Sequence, residues 1–338
     1  MLIKPFPRLE SIRAIAIPLP EPPALITANV YAVGKGPLTL IDTGPKIPGS
    51  LEFINRKLHS AGFAFSDIER IIITHGHVDH FGLALSIQES AGHPLECFIH
   101  KQDRWRVAKE NFREKLWTEG MEHFMAITGM PNREIQKMRN RFSAFRSLAD
   151  PLEDVYSMVD GDEFKGDGYH LTVIHTPGHS LGTCCLYESH QKVLFSGDHI
   201  IKHITPNPFV EINRKHIPDA QYQSLKSYLK SLDKLSGLEV KFVFPGHGEH
   251  IEDLLGIVSS YRVHHRDRAD IVWNALKKQS RFIYDLIDDV FPFVPENDVF
   301  LAVSEIFVHL EMLVSDGRVA LADPGPPALY RALELECY

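Results

Sequence analysis

Between Thr74 and His80 the chain places three imidazoles and a carboxylate directly after the apolar run Ile71-Ile72-Ile73. No other feature constrains the fold as tightly. A short β-branched run reads as a buried strand, and the residues after it must then be displayed at that strand's end. Neutral imidazole suits zinc and iron, and a neighbouring carboxylate hardens the site and can hold or orient a water. His75 and His77 share one side of an extended segment, because side chains alternate with period two. A helix beginning near Val78 puts Asp79 and His80 in its first turn, able to face the same spot. A solvated His-rich loop is the bland alternative, and a lone His pair would favour it. H-x-H-x-D-H after a β-branched run favours a metal.

Later segments repeat the arrangement. His175-Thr176-Pro177-Gly178-His179 follows Leu171-Thr172-Val173-Ile174, and Phe195-Ser196-Gly197-Asp198 follows Lys192-Val193-Leu194. Phe244-Pro245-Gly246-His247-Gly248 follows Lys241-Phe242-Val243, and upstream Leu38 to Ile41 runs into Asp42-Thr43-Gly44. Each delivers a His or Asp at the tip of a predicted strand, with glycine allowing a sharp turn and close backbone approach. One Pro-Gly-His is an ordinary turn. Several in order are hard to explain without a shared ion.

With these motifs in place, the chain resembles the metallo-β-lactamase-fold hydrolases, especially the glyoxalase II (hydroxyacylglutathione hydrolase) branch, over roughly residues 10–250. The resemblance implies an α/β fold, an αββα sandwich of two mixed sheets flanked by helices, with metals at one edge. It implies two divalent cations, zinc first, with manganese or iron acceptable to the same ligands. His75, His77 and His179 would hold the first. Asp79, His80 and His247 would hold the second, Asp198 would bridge both, and Asp42 would orient ligands from behind. No ligand position departs from the pattern, which argues against a vestigial binding or signalling protein. The implied chemistry is hydrolysis of an ester, thioester, lactone or phosphodiester by a hydroxide that two metals share at neutral pH. Asp79 would handle its proton.

At 338 residues the chain can build one large core plus an appendage, at ~150 residues per domain. Its 36 basic and 44 acidic residues give no global excess for nucleic acid. Met1 to Pro7 lacks a signal-peptide layout, and no apolar run approaches the ~20 residues of a membrane helix. Cys97, Cys184, Cys185 and Cys337 form no C-x-x-C pair and read as free thiols. The expected location is the cytoplasm, which disfavours an exported β-lactamase.

Three short strands are predicted at Ile12–Ile17, Ala28–Val33 and Leu38–Ile41, then a helix from Leu51 to Ala61. The expected division is a catalytic domain over 1–252 and a helical, winged-helix-like extension over 253–338. Within the first, 101–150 reads as a helical insertion. Ile135, Met138, Phe142 and Phe145 recur at helical spacing, and Trp105, Phe112, Leu116, Met121, Phe124 and Met125 suggest further helices. The insertion holds eleven Lys or Arg against seven Asp or Glu. It reads either as a hairpin packed on the body or as a lid that shapes an apolar pocket and attracts an anion. Helices are predicted over Ile257–Lys278 and Val299–Val314, then a turn into a strand near Leu321. In resembling hydrolases such a tail packs and dimerises, so a homodimer is one arrangement it allows. Eight basic against thirteen acidic residues over 255–338 disfavour nucleic acid.

The expected substrate is a small molecule, anionic with an apolar part. The segment His199 to Pro208 does not resemble the glutathione-contacting stretch of glyoxalase II. Within it Lys202 and His203 are candidate substrate contacts, with an ordinary loop as the alternative. Two further readings stand beside hydrolysis of a small ester. One is an endoribonuclease or phosphodiesterase of the lactamase-like type. The other is a persulfide dioxygenase using one iron, which the second set of ligands argues against.

Overall fold

The computed structural model describes residues 4–20, 25–112, 119–212 and 223–334. Leu116, Cys337 and the side chain of Phe112 lie outside the described residues. The chain divides into two compact units. One comprises Met1–Glu114, Ala144–Pro206 and Asp233–Ile257; the other comprises Lys115–Ser143, Asn207–Leu232 and Val258–Tyr338.

In the first unit β1 (Ile12–Pro18), β2 (Thr27–Val33), β3 (Leu38–Ile41), β4 (Ile68–Ile73), β5 (Glu96–His100) and β6 (Tyr156–Met158) form one sheet in chain order. It is antiparallel from β1 to β3 and parallel from β3 to β6. Parallel pairs need crossover connections. α1 (Ser50–Ser60) joins β3 to β4, and α2 (Val78–Phe81) with α3 (Ala84–Ala91) joins β4 to β5. α4 (Arg104–Val107) and α5 (Lys109–Phe112) follow β5. β7 (Glu163–Gly166), β8 (Tyr169–His175), β9 (Cys184–Glu188), β10 (Val193–Gly197) and β11 (Phe242–Pro245) make a second sheet, ordered β11-β10-β9-β8-β7. Only β10 and β11 pair parallel there.

Period-two alternation builds the core. Ile71 and Ile73 of β4 join Ile54 and Leu58 of α1 and Ile87 of α3, while Ile72 joins Phe195 and Phe244 of the second sheet. β2 divides likewise, Val30 and Ala32 to the helical side and Tyr31 and Val33 to the inter-sheet side. A strand buried on both faces needs an unbroken apolar run, which is why Ile71-Ile72-Ile73 shows no alternation. The expected α/β architecture of two mixed sheets with helices is the one this chain adopts. β3 and β4 run parallel, as do β8, β10 and β11, so the strand ends that lead into the candidate His and Asp residues fall on one edge of each sheet.

The second unit draws on α6 (Glu119–Thr128), α7 (Asn132–Phe145), α8 (Ser224–Ser236), α9 (Leu254–Lys278), α10 (Ile287–Val290) and α11 (Val299–Ser315). Its small antiparallel sheet takes β12 (Arg281–Phe282), β13 (Val319–Asp323) and β14 (Leu329–Ala332) in the order β12-β14-β13. A break near residue 252 does not describe how these cores form. Met121, Phe124, Met125 and Met138 of the insertion share one core with Val303, Phe307 and Leu310. The Phe124 and Phe307 rings meet edge to face at 5.3 Å between centroids. α11 is buried along most of its length and needs a partner for its apolar surface, and the Met and Phe stripe of the insertion supplies one. Much of the insertion's positive charge is answered locally. Arg139 pairs with Glu122, Lys137 with Glu134 and Glu296, and Arg104 with Glu110. Among the described residues, no helix is long and apolar enough to cross a membrane.

Candidate metal centre

The first ligand motif is built as its spacing predicts. β4 ends at Ile73, His77 stands at the N-cap of α2, and Asp79 and His80 occupy the first turn. His75 Nε2 lies 3.0 Å from His77 Nδ1, and His179, delivered by the turn after β8, brings its Nε2 to 3.1 Å from the same atom. Three imidazole nitrogens thus converge on one point. On the other side, His80 Nε2 lies 3.3 Å from Asp198 Oδ1. His247 Nε2 lies 3.3 Å from Asp79 Oδ2 and 3.4 Å from Asp198 Oδ2. Asp198 Oδ2 is also 3.6 Å from His179 Nε2, so this carboxylate faces both groups. The ligand atoms of His75, His77 and His179 lie within 4.8 Å of one another, as do those of Asp79, His80 and His247. All seven side chains come together in one unit.

Backbone geometry keeps the cluster tight. A Cβ on Gly246 would fall 2.4 Å from Asp198 Oδ1 and 2.6 Å from His80 Cε1, so only glycine fits between β11 and the ligands. Gly197 has φ +49°, and its Cβ would meet Thr74 Oγ1 at 2.7 Å.

The outer ring nitrogens are held from behind. His80 Nδ1 is 2.8 Å from Asp42 Oδ2, and His247 Nδ1 is 2.7 Å from the Thr27 carbonyl. His75 Nδ1 is 3.2 Å from Thr74 Oγ1, whose hydroxyl donates to Asp42 Oδ2 at 2.8 Å. Such contacts fix which nitrogen points inward. Inside, His80 Nε2, His247 Nε2 and Asp198 Oδ1 are buried without a hydrogen-bond partner. A buried polar atom left unpaired is costly. A cation among these atoms would satisfy every one, so the donor set fits divalent metals with imidazole and carboxylate ligands.

The electrostatics divide the imidazoles into two groups. Burial, then the neighbouring imidazoles, drives His75 well below its ordinary range, and burial with His179 and Arg106 brings His77 to about 3. Both rings are neutral at pH 7, the state an imidazole needs to hold a cation. For His80 and His247 burial also opposes charge but is outweighed. Asp198, Asp42 and Asp79 raise His80 well above its ordinary value, and Asp198 with Asp79 takes His247 to about 10. Burial works to raise Asp79 and Asp198 too, yet His80 and His247 hold both carboxylates below their usual range.

Other candidates fall elsewhere. Lys202 Nζ donates to Glu249 Oε2 at 2.6 Å, and His203 Nε2 lies 3.8 Å from the same oxygen, so both face a carboxylate. His250 packs against Phe6 and Phe244 and reaches Glu252. Cys97, Cys184 and Cys185 are buried free thiols. Sequence reasoning passed over Asp103, wholly buried and hydrogen-bonded to the loops of His77 and His179. The signal was available: three residues past the end of β5, it repeats the strand-then-carboxylate order. Assigning 101 onward to the insertion hid it.

A family model described as the metallo-beta-lactamase superfamily matches residues 25–247. A "Probable metallo-hydrolase" of Bacillus subtilis is 28% identical over 324 residues, covering 95% of this chain and 98% of its own. A "Beta-lactamase-like protein 2 homolog" of Caenorhabditis elegans is 26% identical over 302 residues, 89% of this chain and 83% of its own. Among solved structures, a metallo-beta-lactamase family protein of Thermus thermophilus superposes with TM-score 0.80 at 25% identity, covering 96% of this chain and 99% of its own. A beta-lactamase domain protein of Burkholderia ambifaria does so with TM-score 0.80 at 20% identity, covering 97% and 94%.

Proposed function

The chain belongs to the metallo-beta-lactamase superfamily, and from that premise we propose that it hydrolyses a small ester, thioester or lactone with two divalent cations. His75, His77 and His179 would hold one cation, Asp79, His80 and His247 the other, with Asp198 between them. The observation that carries this reading is the second set. A one-cation enzyme has no use for buried His80 Nε2 and His247 Nε2 aimed at Asp79 and Asp198 without hydrogen-bond partners of their own. Zinc suits the mixture of five imidazoles and two carboxylates best.

When bound, such a pair supplies a water acidified towards neutrality and a Lewis acid for the oxygen that gains charge. The chain's own residues do the rest. Asp79 has the most accessible carboxylate of the set, its side chain 28% exposed against 9% for Asp198. It is ionised at neutral pH, so it can accept the proton of the attacking water and pass it towards the leaving group. Asp42 and the Thr27 carbonyl hold His80 and His247 in one orientation throughout. An anionic substrate at Lys202 or His203 would share them with Glu249, which weakens their pull on it. The helices and small sheet of the C-terminal region support a winged-helix-like reading, while their acidic balance speaks against RNA as substrate.

The test is a panel of thioesters, lactones and bis-aryl phosphodiesters, assayed with and without oxygen in wild type and Asp198→Ala. Hydrolysis of a thioester or lactone, independent of oxygen and lowered more than about 100-fold by the substitution, is expected. Unchanged hydrolysis in Asp198→Ala, or oxygen-dependent turnover, would refute the reading.

A further inference from the structure

Asp103 is fully buried just beyond β5. Its Oδ2 accepts the Gly76 N–H at 2.8 Å and the Ser180 hydroxyl at 2.7 Å, and its Oδ1 accepts the Gly182 N–H at 3.0 Å. Arg106 Nε approaches Oδ1 at 3.6 Å. Gly76 lies between His75 and His77, and Ser180 and Gly182 follow His179 in the chain. One carboxylate therefore grips two loops, about a hundred residues apart in sequence, that carry the ligands of one cation. The packing allows little slack. A Cβ on Gly182 would sit 2.6 Å from Asp103 Cβ, and a Cβ on Gly76 would sit 2.7 Å from Arg106 Cδ. A buried carboxylate costs several kcal/mol unless its oxygens are answered, and here both are. Burial itself works to raise its pKa, but Arg106, Ser180 and Gly76 together hold it low.

We propose that Asp103 is a positioning residue that sets the separation of His77 and His179 and so governs the cation site of His75, His77 and His179. In the other set Asp103 contacts none of Asp79, His80 and His247: the first two follow His77 in the first turn of α2, beyond the Gly76 contact, and His247 lies on the segment after β11. This inference rests on the two-cation reading above. It also explains why positions 76 and 182 are glycines: each approaches the carboxylate through its backbone N–H, where a side chain would collide.

Asp103→Asn is nearly isosteric but cannot serve all its donors. Whichever way the amide turns, its NH2 group faces a backbone N–H, of Gly76 or of Gly182. Zinc alone is titrated into the full chain by competition with a chromogenic chelator. Imidazole signals of the cation-free chain are recorded by NMR beside circular dichroism. In Asp103→Asn one zinc should bind as in wild type and the other about 10–100-fold more weakly. The His77 and His179 signals should shift while those of His247 stay in place. Ser180→Ala, which removes one donor and keeps the carboxylate, should weaken the same zinc several-fold, and it decides the matter if Asp103→Asn does not fold. Equal weakening of both zinc ions, or no weakening, would overturn the proposal. If wild type itself binds fewer than two zinc ions, the two-cation reading fails. A selective shift of His77 and His179 would still sustain the role of Asp103, and its absence would refute it.

Discussion

Asp42 Oδ2 stands 2.8 Å from His80 Nδ1, and the residue that makes this contact has φ +57°. A non-glycine residue in the left-handed region is strained by about 1–3 kcal/mol. Here the conformation is over-determined, because Oδ1 also accepts the Thr74 N–H and Oδ2 the Thr74 hydroxyl, each at 2.8 Å. A carboxylate behind a metal-binding imidazole fixes its tautomer and raises its basicity. Asp42→Asn tolerates the backbone but turns an NH2 group towards His80 or Thr74. Its affinity for the cation at Asp79, His80 and His247 should fall about 10–100-fold, read by chelator competition.

Gly246→Ala tests the closeness of β11 to the ligands. The added methyl would press on Asp198 Oδ1 and His80 Cε1 together. Overpacking of this kind costs about 1–3 kcal/mol, or roughly 5–150-fold in affinity. Cation binding should weaken by that factor and hydrolysis should fall with it. Gly248→Ala is the control, since nothing lies within 4 Å of its Cβ position. Its φ of +71° costs some stability but does not push on a ligand.

The cation sites should respond differently to pH. His77, near 3, and His75, well below its ordinary value, carry no proton to displace at neutral pH, burial being the first cause in both. His247, held near 10 by Asp198 and Asp79 against its burial, must lose a proton when a cation arrives, and so must His80. Affinity at Asp79, His80 and His247 should therefore rise with pH through neutrality and up to about 10, above which His247 no longer holds a proton to displace. Calorimetry in buffers of different ionisation heat should register proton release for that cation. In the cation-free chain the sign reverses. The folded pKa of His247 lies above its unfolded value of about 6.5, so its ion pairs contribute fully below that pH and are lost as pH climbs towards 10. Chelated protein should melt lower at pH 9.5 than at pH 6.5. Equal melting would contradict the assignment.

In the second unit, Phe124 is wholly buried against Phe307. Phe124→Ala should destabilise the fold by about 3–5 kcal/mol in denaturant titration. Arg139→Ala, which removes a partly exposed partner of Glu122, should change stability by less than about 1 kcal/mol. Comparable effects would mean that the insertion is held by its charges and not by its Met and Phe residues.

What the sequence disclosed follows from what is local in it. Ile71-Ile72-Ile73 and H-x-H-x-D-H encode a strand, a cap and a first turn within ten residues, so the motif could be read without its neighbours. Repeating strand-then-ligand order supplied the other members. Helix α9 begins at Leu254, three residues before the periodicity indicates, because Asp253 accepts the Gly256 N–H at 2.8 Å and caps it. Tertiary meetings were not legible. Periodicity shows that Phe124 and Met138 are buried but not that α11 buries them. Nothing near Lys202 announces Glu249 as its partner, and Asp103 acquires its meaning only where two distant turns converge.

The cation-to-chain ratio tests the central claim most directly. Protein loaded with excess zinc, freed of weakly held metal by dialysis and measured by elemental analysis should hold two zinc ions per chain, falling in Asp198→Ala. A ratio near one in wild type would contradict the account: His80 and His247 would then be buried against Asp79 and Asp198 for some other reason.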